Sequence, residues 1–268
     1  MDYKGDKPEV ISSTKNPKIR NFRLLQKSRE RKKQGLFIVE GSKEVERAIT
    51  AGYLFDHIFV CKELFKGNFN SSSIFAGIQM DIVTAEVYAH IAYRKDSEGI
   101  VGWGIPRDHD IYGIELSKNP LIIVLESVEK PGNLGAILRT AEAAGVDAVI
   151  ICDPQTDLYN PNVVRSSLGG LFSVQCGVGA SSDVIQWLKK NKIMIYCTSL
   201  DSSKAYYDID FTESAAIVMG TEATGLSEAW LAESSQNIII PMNGSVDSMN
   251  VSVSTGIVLF EALRQRKK

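Results

Sequence analysis

The chain has 268 residues, 44% of them hydrophobic and 23% charged, with a formal net charge of −2. That length suits one large domain or two smaller ones with ample core, and the composition is that of an ordinary globular protein. A near-neutral chain is not one that coats nucleic acid indiscriminately, no apolar run approaches the ~20 residues needed to span a bilayer, and the charged start does not read as a signal peptide.

Residues 1–10 are polar. Asn16-Pro17 marks a turn, and a helix is predicted from about Pro17 to Lys33, with Ile19, Phe22 and Leu25 on its apolar face. Nine Lys and Arg fall between Lys15 and Lys33 against one acid, Glu30, so a chain that is acidic elsewhere carries one strongly basic segment. Local basic patches supply phosphate contacts. Lys18, Arg20, Arg31 and Lys32 are therefore expected on exposed faces, free to meet RNA. Gly35 stops the helix and 36–39 reads as a strand. A helix over 42–51 and a strand over 56–60 follow, and Val101-Gly102-Trp103-Gly104 reads as an edge strand. Together these predict a small N-terminal α/β domain over 1–106, with a Pro-, Gly- and charge-rich linker at 107–118.

From 119 onward strands and helices alternate. Strands are predicted over 121–128, 146–152, 174–178, 193–198, 215–219 and 238–242. The intervening helices fall at 133–144, 161–172, 181–191, 227–234 and 249–266. Continuous apolar strands separated by helices imply a parallel sheet covered on both faces. Cys61, Cys152, Cys176 and Cys197 form no CxxC pair and read as buried, reduced thiols of a cytoplasmic protein. His57, His90 and His109 lack metal-ligand spacing, so no metal is expected.

Three strand ends run into polar, glycine-containing loops that feed helices, the arrangement in which open α/β sheets bind ligands. Neither GxGxxG nor GxxxxGK[ST] occurs, which argues against a dinucleotide or phosphate-loop site. The three loops carry Asn133, Gly135 and Arg139; then Met219, Gly220, Glu222, Gly225, Leu226 and Ser227; then Ile240, Pro241, Met242, Ser248, Met249, Asn250, Val251 and Ser252. In that order and spacing they resemble the three motifs of the SpoU (TrmH-like) RNA 2'-O-ribose methyltransferases of the SPOUT class. Thr221, Ala223 and Met249 depart conservatively from that family's commonest spelling. The N-terminal part is similar to the L30e-like substrate-binding domain that often precedes SpoU domains.

The resemblance implies a C-terminal SPOUT α/β-knot, a trefoil-knotted methyltransferase domain over 119–268, that dimerises as a homodimer. It implies S-adenosyl-L-methionine as cofactor, held by Thr198, Ser199, Leu200, Gly220, Ile240 and Met249. Arg139 matches the family's catalytic arginine, with Asn133, Glu222, Ser248 and Asn250 completing the catalytic group and Arg165 facing RNA. Because guanidinium pKa values exceed about 12, Arg139 suits phosphate binding and charge stabilisation better than proton abstraction, though base action stays open. The expected activity is 2'-O-methylation of a ribose, in ribosomal RNA ahead of transfer RNA. A non-catalytic RNA-binding or ribosome-assembly factor is the second reading.

Overall fold

The computed structural model describes residues 10–67, 75, 77–93, 98–201, 203–221, 224–245 and 248–267. They form two compact units. One runs to Arg107 and also takes Tyr159–Arg165; the other takes Asp108–Leu158 and everything from Ser166.

The first unit holds β1 (Val10–Ile11), α1 (Pro17–Leu25), α2 (Ser28–Gln34), β2 (Phe37–Glu40), α3 (Ser42–Thr50), β3 (Phe55–Val60), β4 (Met80–Val83), α4 (Ala85–Ile91) and β5 (Ile100–Gly104). The strands make one mixed sheet in the order β1-β4-β3-β5-β2. Asn16 caps α1, its side chain accepting the Lys18 N–H at 2.9 Å, and Pro17 fills the first helical position, where no N–H is needed.

The single helix predicted over 17–33 is two. Lys27 is extended (φ −92°, ψ 129°), and the chain restarts at Ser28 before ending in a left-handed Gly35. The break has a visible cause in Arg31. Its side chain is buried, and its guanidinium donates to the carbonyls of Leu25 (2.8 Å) and Gln26 (2.9 Å), the otherwise unpaired end of α1. Arg31 is thus a cap and not the exposed RNA contact expected of it.

The edge assignment for 101–104 is also corrected. β5 lies inside the sheet, antiparallel to both β2 and β3. Its glycines made it look weak, yet they are what admit it: a Cβ at Gly102 would lie 2.8 Å from the Phe55 ring, and one at Gly104 2.6 Å from the Phe37 ring.

The second unit runs β6 (Leu121–Glu126), α5 (Pro131–Ala144), β7 (Ala148–Cys152), α6 (Pro161–Ser166, mostly of the first unit), α7 (Gly170–Ser173), β8 (Cys176–Gly179), α8 (Ser181–Lys190), β9 (Met194–Thr198), β10 (Lys204–Ala205), β11 (Ala215–Met219), α9 (Glu228–Ala232), β12 (Gln236–Ile239) and α10 (Val251–Arg266). Its sheet has the order β10-β12-β9-β11-β6-β7-β8, and every pair is parallel, as the alternation predicted. Ile122, Val124, Val218 and Cys197 share one core with Val184, Leu188 and Trp230 of α8 and α9. Ile123, Leu125 and Ile217 alternate away from that core and are equally buried, so the other face is covered too, where α5 and α10 pack together. The helix predicted over 161–172 is interrupted by Leu168 and Gly169, both at positive φ.

All four cysteines are buried. Desolvation pushes the Cys176 thiol up to about 12 and the Cys197 thiol up to about 11, and it raises Cys152 as well, aided there by the charges of Asp153 and Glu126. These three thiols are therefore neutral at pH 8. Alkylation of the native protein at that pH should proceed only as fast as the chain opens, and denaturant should release the reaction; fast stoichiometric labelling without denaturant would contradict the burial. Arg31→Ala should cost about 1–3 kcal/mol in chemical denaturation, because the buried Leu25 carbonyl and the part-buried Gln26 carbonyl lose their donor. Lys32→Ala, on the exposed side of α2, should change stability by less than about 0.5 kcal/mol.

Candidate active site

A cavity of about 530 Å³ opens at the carboxyl ends of the three adjacent strands β12, β9 and β11. Strand ends of a parallel sheet are where backbone groups run out of ladder partners and become available to a ligand. The loops here are tied to one another. Thr198 at the end of β9 donates its hydroxyl to Val218 O of β11 at 3.0 Å, and Ser199 N–H donates to Ile238 O of β12 at 3.1 Å. Thr198, Ser199, Leu200, Gly220, Ile240 and Met249 all line the cavity, as does Ser248. The sequence reading missed Asp201, Thr221, Thr224, Leu226 and Glu228, which line it as well. Proximity to the motif glycines was the available signal for the last four.

Gly220 shows why the wall has its shape. A Cβ there would lie 2.3 Å from Gly225 C and 2.4 Å from Gly225 O, and Thr221 and Gly225 exchange backbone hydrogen bonds (3.0 and 3.2 Å). The loop leaving β11 is folded back so tightly that its first residue touches the backbone of its sixth. Gly225 closes it at φ 70°, where a side chain would be strained. Glu222 falls outside the described residues.

Asn250 caps α10, accepting the Ser252 N–H at 3.0 Å, and its amide donates to Asn133 Oδ1 of α5 at 3.1 Å. The structure thus brings together Asn133 and Asn250, from the first and third motifs, beside Ser248 and Met249 at the cavity. It does not bring Arg139 there. Arg139 is exposed, is not among the cavity's lining residues, and has no hydrogen-bond or ion-pair partner among the described residues. Its backbone is nonetheless closely held: a Cβ on Gly170 of α7 would lie 2.8 Å from Leu138 O and 3.1 Å from Arg139 Cα.

The basic residues expected to meet RNA differ in their environments. Arg20 and Lys32 are exposed. Lys18 is engaged, its Nζ 2.5 Å from Asp81, whose carboxylate also lies 2.9 Å from His57 Nε2. Arg165 is exposed and rests over the Tyr93 ring at 4.8 Å. No three His, Cys, Asp or Glu side chains among the described residues converge as a metal site, and no helix among them is long and apolar enough to cross a membrane.

Gly220→Ala should cost at least about 2 kcal/mol, because the atoms in its way are backbone and cannot rotate aside. It should also abolish ligand binding in the cavity by calorimetry, whereas Gly244→Ala, in open space, should be neutral in both measurements.

Comparison with known proteins agrees with this geometry. Residues 120–260 match the SpoU rRNA Methylase family, and residues 16–102 match the MRM3-like substrate binding domain. The chain is 28% identical over 251 residues to the 23S rRNA (guanosine(2553)-2'-O)-methyltransferase RlmP of Bacillus subtilis, spanning 93% of this chain and 97% of that one. Among solved structures it resembles an RNA 2'-O ribose methyltransferase with a TM-score of 0.83 and 34% identity, covering 96% of this chain and 99% of the other. It also resembles an AdoMet-bound rRNA methyltransferase from Sinorhizobium meliloti, with a TM-score of 0.88 and 27% identity over 97% and 99% of the two chains. A match through the whole alternating half, joined to one through the N-terminal unit, is decisive: the chain belongs to the SpoU rRNA methylase family.

Proposed function

We propose that this protein methylates the 2'-hydroxyl of a ribose in ribosomal RNA, using S-adenosyl-L-methionine. The observation that carries the proposal is the strand-end cavity, lined by the second and third family motif loops, the third of which is hydrogen-bonded through Asn250 to Asn133 of the first. Its lining fits the cofactor. Leu226, Leu231, Ile238 and Val258 offer apolar wall to an adenine ring, the glycine loop offers backbone groups, and Asp201 and Glu228 offer negative charge to a ligand bearing a sulfonium and an ammonium. When bound, S-adenosyl-L-methionine supplies a methyl group activated by the positive sulfur.

The chain's own contribution is chiefly positioning. A ribose hydroxyl is a weak acid, and the main gain comes from holding it in line with the methyl carbon. Asn133 and Asn250, bonded to each other at 3.1 Å, join the first motif to the third, whose Ser248 and Met249 line the cavity, and so hold the ribose-binding side in place. Arg139, exposed and unengaged among the described residues, is suited to grip the adjoining phosphate and to stabilise negative charge developing on the 2'-oxygen. Since it does not line this chain's own cavity, we infer a homodimer that assembles the complete site, in which a second copy can carry Arg139 to the ligand. The exposed Val253 and Phe260 of α10 give such an interface apolar surface. Arg20, Lys32 and Arg165, all exposed, bind the RNA backbone, and the enzyme works in the cytoplasm.

The test is transfer of labelled methyl from S-adenosyl-L-methionine to RNA lacking the modification. Ribosomal RNA should gain label at one nucleotide that then resists alkaline cleavage. Arg139→Ala should lower turnover by about 10²–10³-fold while cofactor affinity stays within about threefold. Label appearing in transfer RNA alone would reassign the substrate, and cofactor binding without turnover on any RNA would favour a binding factor. Sedimentation should give a dimer; a monomer that still turns over would remove the shared site.

A further inference from the structure

Glu126, the last residue of β6, belongs to none of the three motif loops, and its carboxylate is buried. An ionised carboxylate out of water is costly unless its oxygens find donors. Here Oε2 finds a donor and Oε1 a polar neighbour, and both lead to the same place. Oε2 accepts the backbone N–H of Ser227 at 2.8 Å, and Oε1 lies 3.5 Å from the Ser181 hydroxyl. Ser181 is itself fixed, donating to Asp153 at 2.6 Å and accepting the indole N–H of Trp230 at 3.0 Å. Ser227 is the residue that enters α9 from the Gly220–Leu226 loop, and Trp230 is the fully buried anchor of α9. Leu226, Glu228 and Leu231, on either side of Ser227, line the cavity.

We infer that Glu126 is a positioning residue for the cofactor: its carboxylate pins the far foot of the β11 loop at Ser227 and so sets the width of the cavity that the loop walls. The inference rests on the cofactor reading above. Gly220 fixes the near foot by leaving no room for movement against Gly225, but that contact is internal to the loop and travels with it. The bond from Glu126 ties the loop to β6, a buried interior strand of the sheet. Without it α9 stays anchored by Trp230, but the end of the loop at Ser227 loses the tie that sets its distance from the ends of β9 and β12.

Two independent changes test this. Glu126→Ala removes the acceptor. Ser227→Pro removes the donor alone, and its φ of −69° already suits proline. Each should weaken S-adenosyl-L-methionine about tenfold or more by calorimetry, the scale of a hydrogen bond to a charged group. The Michaelis constant for the cofactor should rise equally, with kcat and the Michaelis constant for RNA within about threefold of wild type. The double variant should be no weaker than the worse single one, because both delete one bond. Glu126→Gln, which keeps the length and an acceptor oxygen, should recover most of the affinity, whereas Glu126→Asp, one methylene short of Ser227, should not. Folded Glu126→Ala protein that binds the cofactor as tightly as wild type would overturn the inference. So would losses that simply add in the double variant, or losses falling equally on cofactor and RNA. Wild-type protein that binds no cofactor at all would overturn the functional reading itself, and this inference with it.

Discussion

The cavity exists because one backbone segment touches another with nothing between them. Where β11 ends, Gly220 lies against Gly225 and Leu226 at distances that exclude even a methyl group. The loop therefore leaves the sheet as a tight fold that stands up as a wall, and does not spread across the strand ends. Much else takes its position from that wall. α9 begins where it ends, the ends of β9 and β12 face it across the cavity, and the third motif closes the remaining side before α10 starts. Close backbone packing is insensitive to solvent and salt, so this geometry persists in conditions that would loosen a charged or hydrated site.

The second unit was more legible in the sequence than the first, for a physical reason. A parallel sheet covered on both faces needs strands that are apolar nearly throughout, and LIIVL, AVIIC and AAIVM state this without ambiguity. In the first unit the decisive interactions are single side chains reaching across short distances. Nothing in Gln26-Lys27-Ser28 signals a helix break, because the cause is Arg31 turning back onto two carbonyls. Nor does Val-Gly-Trp-Gly announce an interior strand, since the rings that need those glycines belong to Phe37 and Phe55 on neighbouring strands. Charge counts also mislead at this scale: of the basic residues in 15–33, Arg31 serves the fold and Lys18 is paired with Asp81.

The candidate site shows the same division. Residues inside the motif loops were readable through their resemblance to the three motifs of the family. Glu126 was not, although a carboxylate ending a fully apolar strand was a visible anomaly; its partners Ser227 and Ser181 lie 101 and 55 residues further along the chain. Arg139 was readable as a residue but not as a position. Its type pointed to phosphate chemistry, while its place outside the cavity emerges only from the packing of α5.

One feature of α10 bears on how the protein is made. Near its end Arg266 donates to the carbonyls of Asn119 (2.8 Å), Pro120 (3.3 Å), Phe211 (2.7 Å) and Glu213. Asn119 and Pro120 lead directly into β6, so the clasp spans 147 residues and joins the last helix to the first strand of its unit. During synthesis β6, β7 and β8 emerge long before the clasp can form, and their buried faces wait for partners encoded at the opposite end. The second unit is thus completed only once α10 has emerged, and a chain interrupted before α10 leaves the ribosome with an unfinished core.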